Sequence, residues 1–280
     1  KFNSDGIKQG DSQQHIWNHT MTTNSYQSKV FKIMGDYNDS QSDVYGVVED
    51  DIKGIASDSS NNLYVTGETQ GGFDGILNNW RDLTYPHEFS YDVFLMKYNS
   101  SGTRQWSRLL GAPGYSNEFG TVGNLIVDSS GNSYFTFSGR SSIDGTTAYG
   151  GDDIFLAKYD TNGTKQWVKS FGTSSADTPT GFAKDSQGNF YITGYTSGAF
   201  SGYSNSGQQD TFIIKTNSSG ILQWVKQFGS SGNEVKSDIA IGSDNYLYVS
   251  GSTAGSIDGK TNLGDYDIFL MKFDSDGNKK

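Results

Sequence analysis

Four segments of the chain are near copies of one another. YDVFLMKYNSSGTRQW ends at Trp106, GGDDIFLAKYDTNGTKQW at Trp167 and QDTFIIKTNSSGILQW at Trp224, while YDIFLMKFDSDGNKK runs to Lys280. Their lysines, Lys97, Lys158, Lys215 and Lys272, are spaced 61, 57 and 57 residues apart. A second motif places Tyr64, Tyr134, Tyr191 and Tyr248 at spacings of 70, 57 and 57. A period near 57 means that each copy is one supersecondary unit, which buries its apolar face against the next.

Each unit reads as four strands. The first is DIKGIASD (51–58), with counterparts at 121–128, 180–185 and 237–244. It leads into a turn (DSSNN, DSSGN, DSQGN and the looser SDN), where Asp and Asn bond their own backbone and Gly supplies positive φ. The second strand is of the LYVTG type. The third, DIFLAKY and its relatives, is almost continuously apolar, as befits a strand covered on both faces. A second short turn (NSSG, DTNG, NSSG, DSDG) precedes a fourth strand, TRQWSRLL or TKQWVKSF, which alternates like a partly exposed edge. Four antiparallel strands per repeat predict an all-β fold, a β-propeller whose blades stack around a channel. Trp106, Trp167 and Trp224 on strand four are then expected to fill the gaps between blades.

Composition agrees and excludes several functions. Hydrophobic residues make up 33% of the chain, yet 14% is aromatic and 36 residues are glycine, which suits short half-buried strands and tight turns. A net charge of −10 argues against nucleic acid or an anionic membrane as partner. There is no cysteine, hence no disulfide or thiolate metal site. No run approaches the 18 or so apolar residues of a membrane span, so no membrane insertion is expected. KFNSDG at the start carries neither a charged nor an apolar leader, and any signal peptide is expected to be gone already.

The pattern GG-D-D-x-F-x-x-K-[YF]-D-x-x-G-x-x-x-W, carried by Lys158, Tyr159, Asp160, Gly163 and Trp167, is followed by D-x-x-G-N-x-Y-[VI]-T-G. Asp185, Gly188, Asn189, Tyr191, Thr193 and Gly194 carry that second half. Over residues 50–280 this resembles the SBBP-type bacterial β-propeller repeat. The resemblance implies a bacterial protein that is secreted or surface-exposed (extracellular, cell-surface or periplasmic), and it brings no catalytic motif. FTFSG (135–139) departs from the pattern by lacking its glycine, and Asn61 replaces the turn glycine.

The units fall at 50–111, 119–172, 179–229 and 236–280. VFKIMG (30–35) aligns with WVKQFG (224–229), with Val30 in place of Trp. One reading makes 30–35 the fourth strand of the last blade, closing a four-bladed ring; the other makes the chain a piece of a longer array. Residues 1–29 form an N-terminal extension or a degenerate blade.

Up-and-down connectivity puts the short turns on one face of the ring and the longer, variable connections on the other, where binding is expected. There the first unit carries nine extra residues, within QGGFDGILNNWRDLTYPHEFSY, which supply Trp80, Arg81, Tyr85, His87 and Phe89 as candidate ligand-binding residues. Recurrent FDG, IDG, GDD and GDYD segments offer Asp74, Asp144, Asp152, Asp258 and Asp265 as candidate Ca²⁺ ligands, although Asp-Gly is also ordinary turn chemistry. No other cofactor is expected. His15 and His19 lie four apart but lack a third ligand. The D-x-x-G-x-x-x-W turns are similar to the Asp-box of sialidases, but Arg81, Arg104, Arg108 and Arg140 are scattered and form no arginine triad.

Three functions remain in view. The leading expectation is a non-catalytic binding or scaffold propeller that recognises a glycan or protein through its variable face. The alternatives are a self-associating module that pairs through open blade edges, and a lyase or hydrolase at the channel mouth, for which no nucleophile–base pair is visible.

Overall fold

A computed structural model describes residues 50–69, 91–110 and 119–280, all within the compact unit Asp36–Lys280. Blade one holds β1 (Asp50–Ser57), β2 (Leu63–Thr69), β3 (Asp92–Tyr98) and β4 (Arg104–Leu110). Blade two holds β5 (Phe119–Val127), β6 (Ser133–Gly139), β7 (Asp153–Tyr159) and β8 (Lys165–Phe171). In blade three these are β9 (Asp177–Lys184), β10 (Phe190–Thr196), β11 (Asp210–Thr216) and β12 (Leu222–Phe228). Blade four shows β13 (Glu234–Ile241), β14 (Leu247–Thr253) and β15 (Asp267–Phe273), and a single bridge from Phe273 to Lys279 stands where its fourth strand would begin.

Every sheet is an antiparallel meander in sequence order, and the fold is a β-propeller of such blades. The first strands begin earlier than the sequence indicates, at Asp50, Phe119, Asp177 and Glu234. Their opening residues lack an apolar alternation and pair through the backbone across a bulge. No helix among the described residues is long and apolar enough to cross a membrane. Residues 1–49, including the expected closing strand 30–35, lie outside the described residues.

Among the described residues one turn device is used seven times. The side chains of Asp58, Asn99, Asp128, Asp160, Asp185, Asn217 and Asp274 accept the backbone N–H groups two and four residues on, at 2.8–3.0 Å. The residue three on has positive φ: Asn61 or one of six glycines. In blade four Gly242 stands at the first position and Asp244 takes over, accepting from Tyr246 N and Tyr248 Oη.

The core lies between blades. In the first junction Tyr64, Val93 and Leu95 meet Leu125, Phe135, Phe155 and Tyr159. In the second, Tyr134, Ile154 and Leu156 meet Phe182, Phe190, Ile192 and Phe212. In the third, Tyr191 and Ile213 meet Ile239, Leu247, Val249 and Phe269. β6 and β10 therefore each give their tyrosine forward and their apolar residues backward, which is the alternation a strand covered on both faces requires.

The half-buried tryptophans seal the outer rim as expected. Trp106 Nε1 and Lys97 Nζ both donate to Thr161 O, at 3.1 and 3.0 Å, and Trp224 Nε1 and Lys215 Nζ both donate to Ser275 O, at 3.3 and 2.8 Å. Gly220 closes against Trp167.

The departure at FTFSG has a local account. A Cβ at Gly67 or Gly194 would run into the Asp51 or Thr178 carbonyl oxygen and the Phe94 or Phe212 ring. At the same position Phe137 stacks on Phe155, with centroids 5.1 Å apart, and its partner strand β5 carries two register shifts where β1 and β9 carry one.

Candidate binding face

Connections between second and third strands share one end of the propeller with the blade-to-blade connections. Three are described: 140–152, 197–209 and 254–266. Each drops one apolar anchor into the body, Ile143, Phe200 or Ile257, all at least 92% buried. Two turn sharply just after the anchor, through Asp144-Gly145 and Asp258-Gly259, all four at positive φ.

A carboxylate at the start of the following strand then holds each loop. Asp153 Oδ2 accepts Tyr149 N at 2.7 Å, Asp210 Oδ2 accepts Ser206 N at 3.0 Å, and Asp267 Oδ2 accepts Leu263 N at 2.6 Å. Blade entries use the same clasp: Asp177 Oδ2 accepts Thr173 N at 2.6 Å and Glu234 Oε2 accepts Ser230 N at 2.9 Å. Asp153, Asp177, Asp210 and Glu234 are wholly buried. Burial pushes the Asp153 carboxyl up despite its backbone donors. Burial likewise pushes Asp177 up to about 6, against the hydroxyls of Thr196 and Thr173, and the Asp153 charge adds to that rise.

Above these clasps, apolar and aromatic groups stand in solvent. Tyr149 is 48% exposed, Tyr203 37%, Tyr266 51% and Leu263 89%. Tyr203 Oη donates to Val225 O at 3.1 Å, which fixes its ring. A rigid backbone carrying half-exposed tyrosines gives flat contact area with little side-chain entropy left to lose.

Trp80, Arg81, Tyr85, His87, Phe89 and Asp74 lie outside the described residues. The remaining calcium candidates are not gathered. Asp144 pairs with Lys165, Asp258 with Lys279, and Asp152 with Arg140 at 2.9 Å, while Asp265 sits on the exposed loop before β15. No group of three or more His, Asp or Glu side chains suited to a metal occurs among the described residues. The clasping role was not read from the sequence, although the signal was there: Asp92, Asp153, Asp210 and Asp267 recur two residues before phenylalanine in all four copies.

Two stretches of the chain, 48–74 and 166–200, match the SBBP beta-propeller repeat. The second covers β8, β9 and β10, so the SBBP unit straddles a blade boundary and includes a clasp.

Over 212 residues the chain is 26% identical to the regulatory protein FlaEY of Caulobacter vibrioides, covering 67% of this chain and 22% of that one. Over 126 residues it is 27% identical to an uncharacterized WD repeat-containing protein of Acanthamoeba polyphaga mimivirus, covering 39% and 9%. The chain thus spans less than a quarter of either relative. Among solved structures, a Bacteroides caccae protein of unknown function overlaps 82% of this chain and 58% of its own, with TM-score 0.44 and 9% identity. A xylan β-1,4-xylosidase from Bacillus halodurans overlaps 78% and 41%, with TM-score 0.42 and 15% identity.

Proposed function

We propose that the chain is a non-catalytic recognition propeller of a bacterial secreted or surface protein, binding a glycan or protein through the loop end of its blades. The supporting observation is the set Tyr149, Tyr203 and Tyr266, standing half-exposed on loops that are anchored by Ile143, Phe200 and Ile257 and clasped by Asp153, Asp210 and Asp267. Tyrosine faces stack on sugar rings and anchor protein interfaces, and a pre-organised loop lowers the entropic cost of binding. The insertion in the first unit, with Trp80 and Tyr85, lies in the sequence between β2 and β3, outside the described residues.

A glycan and matrix-protein binding array tests the reading with three chains. These are the wild type, a Tyr149→Ala/Tyr203→Ala/Tyr266→Ala variant, and a chain whose residues 76–88 are shortened to the length of the other units. The expected result is binding by the wild type and at least tenfold weaker binding by the triple variant, with Tm changed by no more than about 2–4 °C, the scale of 1 kcal/mol. Loss in the shortened chain alone would move recognition to the insertion. Silence from all three would overturn the proposal.

A further inference from the structure

The junction between blades two and three contains two acids that the loop clasps do not fully account for. Asp153 and Asp177 are both wholly buried. They flank Gly172, and the point where a Cβ on that glycine would sit lies within 3.2 Å of both Asp153 Oδ1 and Asp177 Oδ2. Three of the four carboxyl oxygens are well supplied. Asp153 Oδ2 accepts Tyr149 N, and Gly150 N also donates to this carboxyl. Asp177 Oδ2 accepts Thr173 N at 2.6 Å and Thr173 Oγ1 at 3.1 Å, Asp177 Oδ1 lies 3.3 Å from the same hydroxyl, and the Thr196 hydroxyl bonds this carboxyl too. Asp153 Oδ1 alone has no partner.

An orphaned carboxylate oxygen beside a second buried carboxylate is a costly arrangement, because two like charges share a low-dielectric site. Among the described residues no lysine, arginine or histidine forms an ion pair with either acid. The charged groups beside them are Asp152 and the Arg140 that it binds at 2.9 Å. A divalent cation such as calcium would relieve the repulsion but wants six to eight oxygens, and only one oxygen here is unengaged. A proton needs just that one. Placed on Asp153 Oδ1, it turns the orphaned acceptor into a donor, beside a second carboxyl whose charge already feels that of Asp153.

We infer that Asp153 and Asp177 hold a single proton between them in mild acid, joining blades two and three through a carboxylic acid–carboxylate hydrogen bond. Asp210 and Glu234 flank Gly229 at the next junction in the same way, and Asp210 Oδ1 is likewise without a partner. There, however, Gln227 Nε2 donates to Asp210 Oδ2 at 3.0 Å, from the strand position that Ser170 occupies in blade two. The blade two–three pair lacks that donor and is where the proton matters most.

The sign follows from linkage. In the unfolded chain both acids titrate near 4. With Asp177 pushed up to about 6, the folded state keeps a proton that the unfolded state has lost. The pair's contribution is therefore fully present below about pH 4 and disappears as the pH rises through about 6.

Carboxyl-carbon NMR of the full chain, titrated from pH 3 to 8 with and without calcium, tests the inference. One titration near pH 6 is expected, absent from both Asp153→Asn and Asp177→Asn and unmoved by calcium. Asp153→Asn mimics the neutral acid, so its Tm should match wild type at pH 5 and exceed it by about 2–4 °C at pH 8. Should either variant fail to fold, the wild-type titration still decides the matter. Ordinary titration of every carboxyl near 4 would overturn the shared proton, and a calcium-dependent rise in Tm would replace it with a cation site.

Discussion

Strands β7 and β15 read DIFLAKY and DIFLMKF, yet they live in different surroundings. Ile154 and Leu156 of β7 are completely buried, whereas the corresponding Ile268 and Leu270 of β15 are 85% and 70% exposed. Both strands pair with a second strand in the same register, Tyr134 opposite Lys158 and Tyr248 opposite Lys272. The difference is a neighbour. Blade three supplies Phe182, Phe190 and Phe212 to cover the β7 face, and nothing among the described residues does this for β15. Lys272 shows the same contrast. Lys97 and Lys215 reach a carbonyl of the following blade, whereas Lys272 turns back to Asp244, 2.9 Å away, and lies over the Tyr246 and Tyr248 rings. In a quasi-one-dimensional stack, the same repeat is core or surface according to what lies beyond it.

Truncation should expose that contrast. Leu156→Ala is expected to cost about 2–5 kcal/mol, the range for a large-to-small change in a packed core. Loss of the clasp in a first turn should cost less. Asp185→Ala removes the acceptor of Gln187 N, Asn189 N, Asn189 Nδ2 and Tyr191 Oη, and about 1–2 kcal/mol is expected. Leu270→Ala, chemically identical to the first change, should stay within about 0.5 kcal/mol, as for a surface position. Urea unfolding of the three variants measures all of these, and equal losses at positions 156 and 270 would break the comparison.

The repeat made blades and their turns legible, because period, turn chemistry and strand alternation all pointed to one architecture. The packing of the tryptophans between blades was legible as well. What the sequence concealed was position within the stack, since DIFLMKF carries no mark of an uncovered face. The site was harder still. Attention to Asp-Gly pairs picked out Asp144 and Asp258, which serve as turn residues at φ near +50° bound to Lys165 and Lys279. The acids that shape the loop end are Asp153, Asp210 and Asp267, at the first residue of each third strand. Tyr149, Tyr203 and Tyr266 follow no shared spacing, so connectivity placed their loops at one end without marking these residues.

Amide hydrogen exchange, read strand by strand at neutral pH, tests most directly whether stacking creates the core. The account predicts that β7 and β11 exchange only through global unfolding, while β15, paired with β14 but uncovered at Ile268 and Leu270, exchanges through a local opening at lower free energy. Protection of β15 equal to that of β7 would mean that its face is covered, and would contradict the account.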